Sequence, residues 1–185
     1  MHLVRIRTKI KKFNKVVSIE GDKSLSIRWA LIASQSDYKS KSENLLLSED
    51  VINTLKCLKK LGVKLKISKN FCEINGMGLN GFKYKKNLIL NAGNSGTLGR
   101  LIMGLLTHTK FAIKLKGDRS LSKRDFMRII KPLKKFGANF KSNLGKLPIT
   151  IKGTNNPNPI FYNETKGSAQ IKSSVMLAAL NTSGE

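Results

Sequence analysis

Three short clusters of glycine and hydroxyl residues recur along the chain, and each is followed one helical turn later by a basic residue. Each cluster precedes an apolar run with helical periodicity, so it predicts a helix N-terminus. Such an end has a partial positive charge and unpaired backbone N–H groups, which bind phosphate or carboxylate. The clusters are Gly21-Asp22-Lys23-Ser24, Gly93-Asn94-Ser95-Gly96-Thr97 and Gly167-Ser168-Ala169-Gln170, and the basic residues are Arg28, Arg100 and Lys172.

Side chains beside these helix starts strengthen the prediction of an anion site. Lys23 supplies a point charge, and Arg28 supplies a planar guanidinium that can bind a carboxylate or phosphate through two hydrogen bonds. Gly96 would let a ligand approach the backbone closely. A further basic loop, residues 116–124, precedes another predicted helix. The alternative interpretation, helix caps with solvated cations, is less favoured because the pattern occurs three times.

Other catalytic arrangements are not indicated. The only histidines are His2 and His108, so no Ser/His/Asp triad can be proposed. Cys57 and Cys72 form no CxxC motif and no His/Cys cluster, which favours neither a disulfide nor a zinc site. We interpret both cysteines as packing residues.

No pair of catalytic carboxylates stands out either. Glu49 and Asp50 follow Ser48 in the first turn of a predicted helix. Acidic side chains in a first turn interact favourably with the helix dipole. We therefore assign these two residues no catalytic role.

The charge of the chain is strongly positive, because 35 Lys and Arg against 11 Asp and Glu give +24. Charge alone would indicate a basic nucleic-acid-binding module, which stays an alternative. However, the cations are dispersed and aromatic residues make up only 6%. We expect solvated lysines, no nucleic-acid partner, and some cations that serve small anionic substrates. With no apolar span or apolar leader, we predict a globular cytoplasmic protein without a membrane contact.

An internal repeat organises the chain. The segment 58–66 is echoed by 133–141, and each copy predicts the end of an amphipathic helix, a glycine and then a strand. We predict a β-α-β-α-β-β unit of roughly 73 residues, present about two and a half times, near 17–86, 87–156 and 157–185. Packing around a common axis would direct three positive helix ends to one place. The predicted strands include 63–68, 71–74, 111–115, 138–141 and 149–152.

Five motifs stand in register along the chain: Gly21–Arg28, Leu47–Val51, Asn91–Thr97 with Arg100, Gly117–Arg124 and Gly167–Ser173. In order and spacing they resemble the EPSP synthase (3-phosphoshikimate 1-carboxyvinyltransferase) family. The resemblance implies an α/β fold, the inside-out barrel of enolpyruvyl transferases, with two domains of three repeats each. Residues 17–185 would form a substrate-binding domain whose third repeat is cut short, and residues 1–16 would belong to a second domain.

The resemblance also implies a reaction: transfer of the enolpyruvyl group of phosphoenolpyruvate to the 5-hydroxyl of shikimate 3-phosphate, with release of phosphate. It implies no metal or organic cofactor, and a complete protein that is a monomer. Lys23 would act electrostatically in catalysis, and the acid/base carboxylates would lie in the other half, so residues 1–185 alone should be nearly inactive. Shikimate 3-phosphate would contact Lys23, Ser24, Arg28, Ser168, Ala169 and Gln170; phosphoenolpyruvate would contact Lys23, Gly96, Arg124 and Gln170; Asn94, Thr97 and Arg100 would support them.

Two departures and one alternative accompany the resemblance. Asp125 and Glu20 stand where the family usually has proline, and Asp125 could weaken the local positive field. The sister enolpyruvyl transferase that acts on UDP-N-acetylglucosamine is the closest alternative. That enzyme typically has Asn after the first Lys and a reactive Cys in the loop at 116–124, whereas this chain has Ser24 and no loop cysteine.

Overall fold

The computed structural model describes residues 5, 9, 11, 12, 14–68, 71–165 and 167–184. Most of segment 1–16, which we predict to belong to a second domain, lies outside the described residues. The helices of the described part are α1 (Lys23–Ala33), α2 (Glu49–Lys60), α3 (Gly96–Leu105), α4 (Met127–Lys135) and α5 (Ala169–Ala179). The strands are β1 (Lys39–Glu43), β2 (Lys64–Ile67), β3 (Phe71–Asn75), β4 (Leu88–Asn91), β5 (Ile113–Lys116), β6 (Asn139–Asn143) and β7 (Lys146–Lys152).

The predicted repeat is visible in helices α2 and α4, which end in the same way. Each is followed by a glycine in the left-handed region, Gly62 at φ +94° and Gly137 at φ +99°. Only glycine adopts such a φ without strain, so it ends the helix and redirects the chain into a strand. Strands β2 and β6 follow directly. The helices, glycines and strands predicted from this echo are confirmed.

The two sheets share one topology. One has the strand order β1-β3-β2, and the other has the order β4-β5-β7-β6. The last three strands of the second sheet match the first sheet strand for strand, since all of these pairs are antiparallel. Strand β4 is an addition, which pairs in parallel with β5.

The predicted unit is complete in the second copy but lacks its first strand in the first copy. Residues 17–22, where the unit is expected to begin, have no regular structure, so the prediction is wrong there. The physical reason is that the apolar side chains of Val17 and Ile19 stay exposed, so no burial against the core offsets the cost of ordering a strand. Residues 157–165, ahead of α5, likewise contain no strand.

Helix α3 forms the centre of the core. Its Leu98, Leu101, Ile102 and Met103 have no solvent exposure. Helices α1, α2, α4 and α5 all contact α3. Burial of a large aliphatic side chain stabilises a fold by about 1.5–3 kcal/mol, so this cluster fixes the helices relative to one another. The positions of the helix ends are therefore set by the core.

The remaining structural predictions concern cysteines and membranes. Cys57 and Cys72 are buried and unpaired, which confirms that they are packing residues. Within the described ranges no helix is long and apolar enough to cross a membrane. In the same ranges no three His, Cys, Asp or Glu residues are grouped so that they could hold a metal ion.

Candidate functional site

The three glycine and hydroxyl clusters begin helices α1, α3 and α5, as predicted. Each helix is capped by a polar side chain that accepts a hydrogen bond from a backbone N–H in the first turn. The acceptors are Asp22 Oδ1 at 2.7 Å, Ser95 Oγ at 3.2 Å and Ser168 Oγ at 3.4 Å. One side chain cannot satisfy all the N–H groups of a first turn, so donors are left for a ligand. Because Asp22 is the cap of α1, the Ser24 hydroxyl is not used for capping.

Two of the predicted arginines lie beside these helix starts in the same way. Arg28 Nη1 donates to the carbonyl oxygen of Ser24 at 3.2 Å, and Arg100 Nη1 donates to that of Gly96 at 3.3 Å. The i,i+4 spacing thus bends each guanidinium back toward the start of its own helix. Lys172, at the corresponding position of α5, is exposed.

Residues predicted to contact the two substrates, or to support those contacts, lie together where α3 packs against α5. Arg100 Nη1 donates to Gln170 Oε1 at 3.0 Å. Gln170 Nε2 in turn donates to Thr97 Oγ1 at 3.0 Å. The hydroxyl of Ser174 donates to the carbonyl oxygen of Arg100 at 2.9 Å. These bonds hold the Gln170 amide in one orientation and join the starts of two helices.

Arg100 and Arg124 converge on Gly96. A Cβ placed on Gly96 would lie 2.7 Å from Arg100 Nη1 and 3.0 Å from Arg124 Nη1. The Arg100 guanidinium also lies over the ring of Phe126, 5.2 Å from its centroid. Burial, Arg124 and Arg128 together lower the pKa of Arg100.

Arg124 repels Arg100, and among the described residues neither guanidinium has a carboxylate within ion-pair distance. The ion pairs of the described part are Lys23 with Asp50 and Lys41 with Glu43, so Arg28 is not ion-paired there either. Like charges held close together disfavour the ligand-free state electrostatically. An anion bound among them would relieve that repulsion, which makes this cluster a candidate anion site.

Lys23 lies beside an acidic residue that the sequence did not identify as part of the site. Its Nζ is 3.3 Å from Asp50 Oδ2, with the side chains 50% and 21% exposed. The signals in the sequence were that Asp50 lies in the first turn of a repeated helix and within the motif Leu47–Val51.

Asn94 is exposed in the loop before α3. The Ala169 carbonyl accepts a hydrogen bond from the hydroxyl of Ser173 at 2.8 Å, and Ser173 Oγ also lies 3.4 Å from Arg28 Nε.

The two unusual residues have different surroundings. The Asp125 carboxylate accepts a hydrogen bond from the backbone N–H of Met127, the first residue of α4, at 2.7 Å. Burial, Arg124 and Arg128 lower the pKa of Arg100, and Asp125 acts in the opposite direction. Glu20 is exposed ahead of α1.

His108 lies away from the helix starts. Its Nε2 is 2.8 Å from the carbonyl oxygen of Ala178, near the end of α5, and burial lowers its pKa. An 11-residue helix is about 16 Å long, so this imidazole is remote from the helix start at Ala169. The site therefore offers fixed cations and backbone donors, which suit binding and charge stabilisation.

Comparison with known proteins identifies relatives of this chain. Residues 7–185 match the profile of a family described as EPSP synthase (3-phosphoshikimate 1-carboxyvinyltransferase). A 3-phosphoshikimate 1-carboxyvinyltransferase from Ruthia magnifica subsp. Calyptogena magnifica is 45% identical over 169 residues, which cover 91% of this chain and 39% of the relative. One from Thermoanaerobacter sp. (strain X514) is 42% identical over 177 residues, covering 95% of this chain and 41% of the relative.

A solved structure agrees with this similarity. The 2.37 Å structure of EPSP synthase from Acinetobacter baumannii superposes with a TM-score of 0.85 at 35% identity. The match covers 91% of this chain and 38% of that chain. The predicted enolpyruvyl transferase fold is confirmed, and the chain spans about two fifths of the length of the curated relatives it matches.

Proposed function

This chain belongs to the EPSP synthase family, and from that membership we propose that it binds the substrates for transfer of the enolpyruvyl group of phosphoenolpyruvate to the 5-hydroxyl of shikimate 3-phosphate. The product of this transfer is 5-enolpyruvylshikimate 3-phosphate, with phosphate released. Both substrates carry phosphate and carboxylate groups. The starts of α1, α3 and α5 supply the groups that such anions need.

One observation supports the proposal above all: Gly96, Arg100, Arg124 and Gln170 lie together at the α3–α5 junction. Positions far apart in the sequence meet there because α3 and α5 pack closely. The guanidiniums of Arg100 and Arg124 have no carboxylate partner among the described residues. A phosphorylated carboxylic acid fits a cluster with that charge and those donors.

Each group would have a defined part in the reaction. Attack of the substrate hydroxyl on C2 of phosphoenolpyruvate and protonation of C3 give a tetrahedral intermediate, which then eliminates phosphate. Arg124 and the N–H groups near Gly96 would hold phosphoenolpyruvate, while Ser24, Arg28 and the segment 168–170 would hold shikimate 3-phosphate. Lys23 would stabilise negative charge that develops between them.

Proton transfer is not assigned to this part of the protein. The resemblance places the acid/base carboxylates in the portion of the family that the chain does not cover. Closure of a second domain over the helix starts would exclude water and strengthen the electrostatic interactions. We propose that residues 17–185 are the substrate-binding domain and that 1–16 belong with the second domain.

Isothermal titration calorimetry on the chain tests the proposal. We expect shikimate 3-phosphate to bind and unphosphorylated shikimate to bind at least tenfold more weakly, because the phosphate makes the charged contacts. Arg124→Gln should weaken phosphoenolpyruvate binding about tenfold or more, since a hydrogen bond to a charged group contributes about 1.5–3 kcal/mol. Lys114→Gln is the matched control, because it removes one charge from an exposed position of β5.

Two outcomes would contradict the proposal. Equal affinity for shikimate and its phosphate would show that the helix starts do not recognise the phosphate. Equal losses in Arg124→Gln and Lys114→Gln would show that only net charge matters. Strong salt-sensitive binding of DNA or RNA would instead support a nucleic-acid-binding module. A cytoplasmic location and a monomeric complete protein stay predictions.

A further inference from the structure

The first turn of α2 lies between the starts of two other helices. On one side, Asp50 Oδ2 is 3.3 Å from Nζ of Lys23 in α1. On the other side, a Cβ placed on Gly93, in the loop before α3, would lie 2.4 Å from Asn53 Nδ2 and 3.8 Å from Glu49 Oε1. The first two turns of α2 therefore lie against the segments that begin α1 and α3.

Helix α2 is a rigid support for the Asp50 carboxylate. Val51 has no solvent exposure and Leu55 has 1%, so the apolar face of the first two turns is fixed in the core. The Thr54 hydroxyl donates to the Asp50 carbonyl oxygen at 2.9 Å. The Asp50 side chain projects from backbone that cannot shift without disturbing this packing.

The corresponding residue of the second repeat is used differently. Asp125 lies 75 positions after Asp50, and its carboxylate accepts the Met127 backbone N–H at 2.7 Å. Asp125 therefore serves its own helix. Asp50 instead faces the lysine of a neighbouring helix. Asp125 precedes the first turn of α4, whereas Asp50 lies within the first turn of α2, so acids at equivalent sequence positions have different partners.

The ion pair between Lys23 and Asp50 restricts the position of the Lys23 ammonium and adds little to the stability of the fold. Exposed ion pairs of this kind contribute little to folding, and the Lys23 side chain is half exposed. However, a lysine ammonium sits on a flexible four-carbon stem and has three donors. The ion pair with Asp50 would restrict the stem and leave N–H donors of the ammonium for a substrate anion.

We propose that Asp50 is a positioning residue that holds the Lys23 ammonium at the anion site. This role rests on the proposed function, because it assumes that Lys23 contacts substrate. Asp50 acts through Lys23 and touches no reacting atom itself. Its removal has two opposite consequences for an anion: the site loses a negative charge, which favours binding, and the ammonium loses its anchor, which disfavours binding. The sign of the measured change therefore separates the two.

The test is the affinity of the chain for shikimate 3-phosphate, measured by calorimetry at fixed ionic strength. We expect Asp50→Asn to weaken binding at least threefold and Asp50→Glu, which keeps the carboxylate, to stay within twofold of the unaltered chain. Lys23→Met should weaken binding more than Asp50→Asn does. Adding Asp50→Asn to Lys23→Met should cause no further loss, because the residue to be positioned is already absent.

Glu49→Gln is the matched control, since it removes the same charge from the same helical turn on the side that faces Gly93. It should leave affinity within twofold. Thermal unfolding of each variant separates a folding defect from a binding defect. If Asp50→Asn unfolds, Asp50→Ser, which also removes the carboxylate, takes its place and should show the same loss of affinity.

Three results would overturn the role of Asp50. The first is that Asp50→Asn binds shikimate 3-phosphate as tightly as the unaltered chain, or more tightly. The second is that Asp50→Asn causes the same loss of affinity in the Lys23→Met variant as in the unaltered chain. The third is that Asp50→Glu loses as much affinity as Asp50→Asn. All three leave the proposed function intact. Failure of the unaltered chain to bind shikimate 3-phosphate would instead overturn the proposed function, and this role with it.

Discussion

Replacement of Gly96 by alanine should disrupt the arginine cluster while leaving the fold in place. The new Cβ would lie 2.7 Å from Arg100 Nη1, whereas ordinary van der Waals contact begins at 3.4 Å. The Arg100 guanidinium must therefore retreat by about 0.7 Å. Arg124 Nη1, at 3.0 Å, must also move by a few tenths of an ångström. Both atoms are the ends of long side chains, so they can move without shifting the backbone.

The movement should affect binding more than stability. Arg100 would lose or lengthen its 3.0 Å bond to Gln170 and its 3.3 Å bond to the Gly96 carbonyl oxygen. Loss of one hydrogen bond between an arginine and the bound anion would cost about 1.5–3 kcal/mol, so we expect phosphoenolpyruvate affinity to fall between about 10-fold and 100-fold. Alanine gains up to about 1 kcal/mol of helix propensity over glycine, which offsets part of the strain. The melting temperature should change by only a few degrees.

Calorimetry with phosphoenolpyruvate and a thermal melt of the same sample measure both effects. Gly99→Ala is the matched control, because it makes the same change in α3 but its Cβ meets the Phe126 ring at 3.3 Å and no cation. The control should bind within threefold of the unaltered chain. If Gly99→Ala lost as much affinity as Gly96→Ala, the link between the arginines and the ligand would be refuted. The same conclusion would follow if Gly96→Ala bound phosphoenolpyruvate with full affinity.

Three further predictions concern the fold. Gly104→Ala should destabilise the chain by several kcal/mol, measured by urea unfolding, because its Cβ would lie 2.2 Å from the backbone oxygen of Ser174 and force α3 away from α5; an unchanged midpoint would contradict that packing. Leu58→Ala should cost about 2–5 kcal/mol, since Leu58 is completely buried, whereas the exposed neighbour Lys59→Ala should cost under about 0.5 kcal/mol. Burial raises the pKa of Cys57 from 9.0 to about 11, so the folded state keeps a proton that the unfolded state releases above pH 9. Stability should then fall as pH rises from about 9 to 11, by less in Cys57→Ala, and equal pH dependence in both chains would contradict the assignment.

The helix starts could be predicted because their signals are local. A capping side chain, a glycine at a helix end and an apolar period of 3.6 residues all act within a few residues. The repeated segment around Gly62 and Gly137 predicts two helices and two strands, and all four are present. Which residue of a cluster caps the helix is less predictable: in α1 it is Asp22, although Ser24 is another polar residue within the same turn.

The connections between repeats could not be predicted in the same way. Gln170 and Arg100 are 70 positions apart, and only the packing of α5 on α3 makes their 3.0 Å hydrogen bond possible. The pair of Lys23 and Asp50 likewise depends on how α2 crosses the start of α1. The family resemblance predicts which residues belong to the site, and the i,i+4 spacing predicts contacts within one helix, but neither contains information on which side chains of different repeats touch.

The strand expected at the start of the first repeat is absent, and the sequence could not predict this for a different reason. The residues before Gly21 have the apolar character of a strand, as the residues before Gly93 do, yet only the latter form β4. A strand needs a partner, and β4 obtains one by pairing with β5. Periodicity indicates that a segment can form a strand, and tertiary pairing decides whether it does.

The most direct test of the anion site is amide chemical-shift mapping of the ¹⁵N-labelled chain as shikimate 3-phosphate and phosphoenolpyruvate are added. If the three helix starts share one site, the amides of Ser24, Gly96 and residues 168–170 should shift together with a single dissociation constant for each ligand. Shifts confined to exposed lysine-rich strands such as β1 and β2, or helix starts that titrate independently of one another, would contradict it.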